Sequence, residues 1–206
     1  MGLTGRRVHP IEVRSMEILR SRVDLSALPP LTRAVTERVI HASADLKYAA
    51  DLRTAEPDLE RGLAALRSGV PVVTDVGMVA AGITSRDVIC RVGTPEAAAL
   101  AKQEGITRSA AAVRLASDEA GPGAVWVVGC APTALFEIVA LGAGRLRPAL
   151  VIGLPVGFVG AAESKEALRA SGLPQLSNVS EKGGSAVAAA AANALLYLLD
   201  EEGEAP

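Results

Sequence analysis

The chain has 206 residues, 50% of them hydrophobic but only 2% aromatic, and a formal net charge of −2. That length allows one α/β domain with a full-sized aliphatic core, and so small a charge supplies no global field for nucleic acid. Cys90 and Cys130 make neither a disulfide framework nor a metal spacing, no apolar run reaches a membrane span, and no apolar signal core follows Arg6 and Arg7, so a reducing cytoplasm is the expected setting.

His9-Pro10-Ile11 opens a helix with Ile11, Ile18 and Leu19 on one face and Arg14 and Ser15 toward the other. Arg14-Ser15 is either a solvated face or an anion clamp, since Arg offers a planar fork to a carboxylate. Pro29-Pro30 breaks the chain, and Leu31, Val35, Arg38 and Val39 then recur at helical spacing. This second helix delivers His41, one of two histidines. Imidazole is the one side chain that changes charge near neutral pH without help. Asp45, a turn further on, either orients that ring or caps the next segment.

Pro57 starts a helix with Leu59, Leu63 and Leu66 as its buried stripe, and Gly69 stops it. Residues 70–73 read as a short strand ending at Thr74-Asp75, and residues 88–92 as a second. Thr94-Pro95 begins a helix, with Thr as cap and Pro at the first helical position. Thr107-Arg108-Ser109 opens another that runs to about Ala120. Residues 125–128 form a third strand, apolar throughout, as a strand buried on both faces is. The turn 129–133 leads into a helix over 134–141, and 149–153 is a fourth strand. A glycine-rich turn over 154–160 precedes a helix beginning at Ser164-Lys165. Residues 176–179 are the fifth strand. The turn 181–185 enters an alanine-rich helix ending near Leu199, and the acidic tail 200–206 frays beyond it.

Strands alternating with helices from Val70 onward predict an α/β fold of three layers, α/β/α, around a mostly parallel, roughly five-stranded, doubly wound sheet. No repeat or linker divides the chain, so 1–206 reads as a single domain with its ordered core over about 10–199. Ligands of such folds sit beyond the carboxyl ends of the strands. That directs attention to the turns 75–86, 129–133, 155–160 and 182–185.

Gly153, Gly157 and Gly160 lack the dinucleotide fingerprint spacing, and no Walker-type lysine follows a matching glycine pattern. Gly183-Gly184-Ser185 forms a backbone nest at a helix start, with Lys182 beside it, suited to a carboxylate or a phosphate. Arg108 is either a second anion handle at a helix N-terminus or an exposed arginine beside a plain Thr cap. Cys130 is either a nucleophile at a strand-to-helix turn or a small packed residue. The sequence offers no metal cluster and no cofactor signature. One neutral-pH proton donor with several anion-friendly helix starts describes a proton-transfer enzyme acting on a polyanionic organic substrate.

The chain resembles the precorrin-8X methylmutases, or precorrin isomerases, of the corrin-ring pathway to cobalamin. The resemblance runs from about Pro10 to Leu199. It rests on Arg14-Ser15, on Val39-Ile40-His41-Ala42, on the segments 78–84 and 107–112, on Ala131-Pro132-Thr133-Ala134-Leu135-Phe136, on the long glycine-rich segment 155–165, and on Gly183-Gly184-Ser185-Ala186. It implies that a methyl group migrates from carbon 11 to carbon 12 of the macrocycle, with His41 as proton donor and acceptor. It further implies substrate contacts from Ser15, Thr84 and Arg108, with Arg14 nearby, and a homodimer with substrate close to the subunit interface. The implied partner is precorrin-8X or cobalt-precorrin-8, with no cofactor, no protein-bound metal, no nucleic acid and no membrane. A methyl shift needs a proton on the right atom and a rigid cage around a flat substrate. A positioned general acid contributes about 10²–10⁴-fold. Arg108, Lys182, Gly183 and Gly184, with Ser185 beside them, are expected to hold the peripheral carboxylates, and Met78 and Val79 to face the ring. The chain departs from the family at Cys130, where Asn is usual, and at Ser43-Ala44, where the family pattern often has Thr or Cys followed by Gly. The rival readings are a non-catalytic corrinoid carrier and a nucleotide-binding α/β protein.

Overall fold

Two proline-led helices open the chain. In the computed structural model, which describes residues 9–202, α1 spans Pro10–Arg22, and the His9 Nδ1 caps it by accepting the Ile11 N–H at 3.2 Å. α2 spans Pro30–Ser43. Its free N-terminal groups are met by a neighbour: the Glu56 carboxylate accepts the N–H of Leu31 at 2.7 Å and of Thr32 at 2.9 Å. A single turn, α3 (Tyr48–Asp51), leads into β1 (Leu52–Thr54) and α4 (Glu56–Arg67). Then come β2 (Val72–Thr74), α5 (Gly77–Gly82), β3 (Val88–Ile89), α6 (Pro95–Glu104) and α7 (Arg108–Ala120). β4 (Val125–Val128) precedes α8 (Pro132–Leu141), which ends in a π-turn over Gly142–Leu146. β5 (Leu150–Gly153), α9 (Ala161–Ala170), β6 (Gln175–Asn178) and α10 (Ser185–Glu202) complete the described chain.

The strands form one six-stranded sheet in the order β1-β6-β5-β4-β2-β3. β1 is antiparallel to β6, with Arg53 opposite Ser177, and every other pairing is parallel. Alternation along the central strands splits the core in two. Val125 and Val127 of β4 and Leu150 and Ile152 of β5 face one side, against Val39 and Ile40 of α2, Leu59 and Leu66 of α4, and Leu195 of α10. Trp126 and Val128 of β4 and Val151 of β5 face the other, against Val113 of α7, Leu135 and Ile138 of α8, and Leu168 of α9. Burying each such leucine contributes about 2 kcal/mol. Ala188 and Ala191 of α10 are fully buried, and their small side chains let that helix lie close on the sheet.

The expected three-layer, mostly parallel architecture is present, with a sixth strand added. β1 has only three residues, one exposed, and its partner lies far along the chain, so no local pattern announces it. The second expected strand shortens from 88–92 to Val88–Ile89, because Cys90 and its followers turn toward α6. α9 begins at Ala161, ahead of the expected Ser164, and α10 continues past Leu199 to Glu202. Residues 1–8 and 203–206, with Arg6 and Arg7 and most of the acidic tail, lie outside the described residues. β2 hands the chain outward to β3, whereas β4 hands it the opposite way to β5. The connections that follow β2 and β4 therefore leave in opposite directions, and such a switch point is where doubly wound sheets place their ligand crevice.

Candidate active site

His41 lies in the last turn of α2, half-buried at the molecule's edge and not sealed in the core. Ser15, on α1, places its Oγ 2.8 Å from the imidazole Nδ1. α1 is held there by buried Leu19 and by ion pairs to α2: Arg38 Nη1 meets Glu12 Oε1 at 2.5 Å, and Arg20 grips Glu37 with bonds of 2.9 and 2.7 Å. A hydroxyl donates or accepts, so Ser15 suits either protonation state of the ring. With Nδ1 engaged, Nε2 has no hydrogen-bond partner among the described residues and is the nitrogen open to a substrate.

Asp45 braces the turn ahead of α3 and makes no hydrogen bond to His41. Its Oδ1 accepts the Lys47 N–H at 2.9 Å and its Oδ2 is ion-paired with Lys182 Nζ. The Lys182 bond and the Lys47 N–H hold this carboxyl below its ordinary range. Lys182 Nζ also stands 5.9 Å from the Tyr48 ring. Burial, with the charges of Asp51 and Asp45, pushes the Tyr48 hydroxyl up to about 12. The two glycines that follow bring this loop onto the end of β5. The Gly184 N–H donates to the Leu154 carbonyl at 2.9 Å, and a Cβ on Gly183 (φ 154°) would stand 2.2 Å from the same oxygen. The expected nest is thus closed at Gly184, and the Lys182 charge is shared with Asp45. Ser185 begins α10, packed so tightly on β4 that a Cβ on Gly129 would meet its Cα at 2.8 Å.

At the crevice itself, buried Asp75 follows β2 and reaches the turn after β4. Its carboxylate accepts the N–H of Gly129 at 3.0 Å and of Cys130 and Ala131 at 2.8 Å each. Burial raises its pKa, and the three N–H groups oppose that shift. Burial and the Asp75 charge raise the Cys130 thiol as well, which makes it a poor nucleophile. Beyond the crevice, Thr107 and Thr133 join hydroxyls at 2.8 Å, bringing the starts of α7 and α8 together. Arg108, the first residue of α7, is exposed there and makes no ion pair among the described residues.

The carboxyl edge of the sheet therefore gathers Ser15, His41, Lys182, Gly183, Gly184, Ser185 and, across the crevice, Arg108. Arg14 points to solvent and bonds Glu17 along α1 at 2.9 Å. Thr84 makes no hydrogen bond to His41. It follows Gly82, whose carbonyl accepts the Asn193 side chain at 2.7 Å and whose Cα hydrogen faces Ala189. Those partners lie about 6–12 Å down α10 from Ser185 at 1.5 Å per residue. Met78 is exposed near the edge, whereas Val79 is buried beneath it.

Sequence reasoning gave no role to Lys165, which is 0% exposed. Its Nζ donates to the Pro155 carbonyl at 3.2 Å, the Asn178 Oδ1 at 2.9 Å, the Lys182 carbonyl at 2.7 Å and the Ser180 carbonyl. Burial pulls the ammonium down to about 8, against the attraction of Asp51. A signal was available: Ala161, Lys165 and Leu168 share one helical stripe, and the stripe is buried. Asp51 was missed too. It accepts from Asn178 Nδ2 at 2.8 Å, Val179 N at 3.1 Å, Ser180 N at 2.9 Å and Ser180 Oγ at 2.6 Å, tying the β1 edge to the loop after β6.

A half-buried imidazole with one nitrogen braced lies beside cationic and small polar groups at the carboxyl edge of a doubly wound sheet, an arrangement suited to moving a proton, with no metal cluster among the described residues. The family model for precorrin-8X methylmutase matches residues 10–198, and the chain belongs to that family of isomerases of cobalamin biosynthesis. It is 42% identical to the cobalt-precorrin-8 methylmutase of Methanothermobacter thermautotrophicus, over 96% of this chain and 97% of that one. It is 41% identical to the precorrin-8X methylmutase of Pseudomonas aeruginosa, over 88% and 91%. The crystal structure of precorrin-8X methylmutase from Thermus thermophilus superposes with a TM-score of 0.85 at 35% identity, covering 94% of this chain and 97% of that one.

Proposed function

We propose that this chain moves a methyl group from carbon 11 to carbon 12 of precorrin-8X to give hydrogenobyrinate, or performs the same shift on cobalt-precorrin-8 to give cobyrinate, with His41 as proton donor and acceptor. The observation that carries this reading is the Ser15–His41 bond: Nδ1 is braced and Nε2 is left without a hydrogen-bond partner among the described residues. Nε2 gives a proton to the macrocycle, the methyl group migrates between adjacent carbons, and the proton returns to Nε2. No net redox change occurs, and atoms balance within the substrate. Any cobalt belongs to the substrate. Arg108 and Lys182 offer positive charge to its carboxylate arms, with Gly183, Gly184 and Ser185 lining the edge beside them and Arg14 at the outer rim.

The active assembly in this reading is a homodimer. Ile11 and Ile18, seven residues apart on one face of α1 and flanking Ser15, are exposed. Thr84 would contact substrate bound near the dimer interface. Light scattering tests the dimer.

The function is tested by absorbance with metal-free and cobalt-bearing substrates, since closing the conjugated chromophore shifts the spectrum. The wild type converts at least one of them, and His41→Ala binds product without converting substrate. A carrier would bind product and leave both spectra unchanged. Normal turnover by His41→Ala would overturn the role given to this residue.

A further inference from the structure

Two loops meet at the carboxyl edge beside His41. Residues 154–160 leave β5 and residues 179–184 leave β6. The first presents Val156, Phe158 and Val159 to solvent, Phe158 at 97% exposure. The second carries Lys182, ion-paired to Asp45 just past the end of α2, and leads into Ser185. A flat macrocycle offers apolar faces and anionic arms, and these loops offer an apolar surface and a cationic one. Their mutual position is therefore a property of the binding surface.

Few direct contacts fix that position. The Gly157 N–H donates to the Glu181 carbonyl at 3.1 Å and the Gly184 N–H to the Leu154 carbonyl at 2.9 Å. Beneath both bonds lies Lys165, on α9. Its three N–H protons serve four oxygens: one on the first loop (Pro155), two on the second (Ser180 and Lys182), and the Asn178 amide at the end of β6. The Asn178 amide donates in turn to the Lys182 carbonyl at 3.0 Å and to Asp51. A lysine so fully enclosed is costly unless every donor is used. An apolar residue there would take the ammonium from the Pro155 carbonyl of the first loop and leave the Ser180 and Lys182 carbonyls of the second with the Asn178 amide alone, so the tie between the two loops would be lost.

Resting on the reading above, we propose that Lys165 is a positioning residue for substrate binding, an internal ammonium that locks the 154–160 and 179–184 loops into one surface beside His41. It touches no substrate. Its effect falls on affinity and not on the proton transfer.

The test compares wild type, Lys165→Met and Asn178→Ala with hydrogenobyrinate titration, steady-state kinetics and amide hydrogen exchange. Lys165→Met is expected to weaken product binding and raise KM at least 10-fold, with kcat within threefold of wild type. Exchange at the Gly157 and Gly184 amides is expected to accelerate at least 10-fold, while that of Ala44 at the end of α2 stays unchanged. Asn178→Ala, which keeps the ammonium but removes one of its acceptors together with the amide's own bonds to Asp51, Ser180 and Lys182, is expected to shift the same quantities in the same direction. It decides the matter should Lys165→Met fail to fold. Unchanged affinity and exchange, or a fall in kcat with KM unchanged, overturns the proposal. The exchange readout needs no turnover, so it separates a failure of Lys165 as a loop lock from a failure of the methylmutase reading, which appears instead as a wild type that neither binds product nor converts substrate.

Discussion

Ser15 and His41 are joined at 2.8 Å although they sit on different helices, α1 being held along α2 by buried Leu19 and by the Arg20–Glu37 and Arg38–Glu12 pairs. Removing the hydroxyl leaves the imidazole free to rotate. Ser15→Ala is expected to lower kcat about 5- to 10-fold, the equivalent of one neutral hydrogen bond. Product affinity, measured by absorbance titration, should stay within threefold. A matching rise in KM would mean that the hydroxyl also touches substrate, as the family resemblance implies.

Asp75 serves three N–H groups at the turn after β4. Asp75→Ala strands those donors in a buried place, and the expected loss is about 3 kcal/mol in urea unfolding. Asp75→Asn keeps one acceptor oxygen and should lose less. An unchanged denaturation midpoint in both variants would contradict this account.

Asp51 sets an acid limit. Burial works to raise its pKa, but bonds from Ser180, Asn178 and Val179 outweigh burial and leave it below the ordinary 3.8. A folded-state value below the unfolded one means that the unfolded chain binds the proton first. The stabilisation is therefore complete above about pH 4 and is lost as pH falls through the lower folded value. Thermal melts of wild type and Asp51→Asn between pH 5 and pH 2.5 should converge toward the acid end, since the variant has no proton to take up there. Parallel curves would refute it.

Ala44 ends α2 with φ 53°, where a Cβ crowds the backbone and the family pattern often has glycine. A left-handed non-glycine residue costs about 1–2 kcal/mol, partly offset by glycine's greater freedom in the unfolded chain. Ala44→Gly is expected to stabilise by about 1 kcal/mol, a rise of about 2–4 °C in Tm. Calorimetry checks this, and a lowered Tm would count against the strain.

Local chemistry was legible in the sequence, and chemistry across the chain was not. Pro10, Thr94-Pro95 and Thr107 announced helix starts because each supplies a cap or a fixed φ at the first turn, whereas Pro30, read as a break, and Pro132, read as part of a turn, are themselves the first residues of α2 and α8. β4 was plain because all four of its residues are apolar. β1 was hidden, since Leu52-Arg53-Thr54 is stable only against β6, more than a hundred residues away. The same distance concealed the fate of Lys182. Beside two glycines it reads as an open anion nest, yet its ammonium meets Asp45 and the Gly184 N–H meets Leu154. His41 was identified by residue type, but the group that braces it was not: Asp45 was the near candidate in sequence, and Ser15, on another helix, is the one in contact.

The turn after β4 is where many open sheets receive the phosphates of a nucleotide. Here the amides of that turn already face a carboxylate supplied by the chain. An arriving phosphate would find its donors occupied and a like charge behind them. ATP and the pyridine dinucleotides are thus discouraged electrostatically from lodging at this turn, although the sheet around it has the architecture that elsewhere receives them.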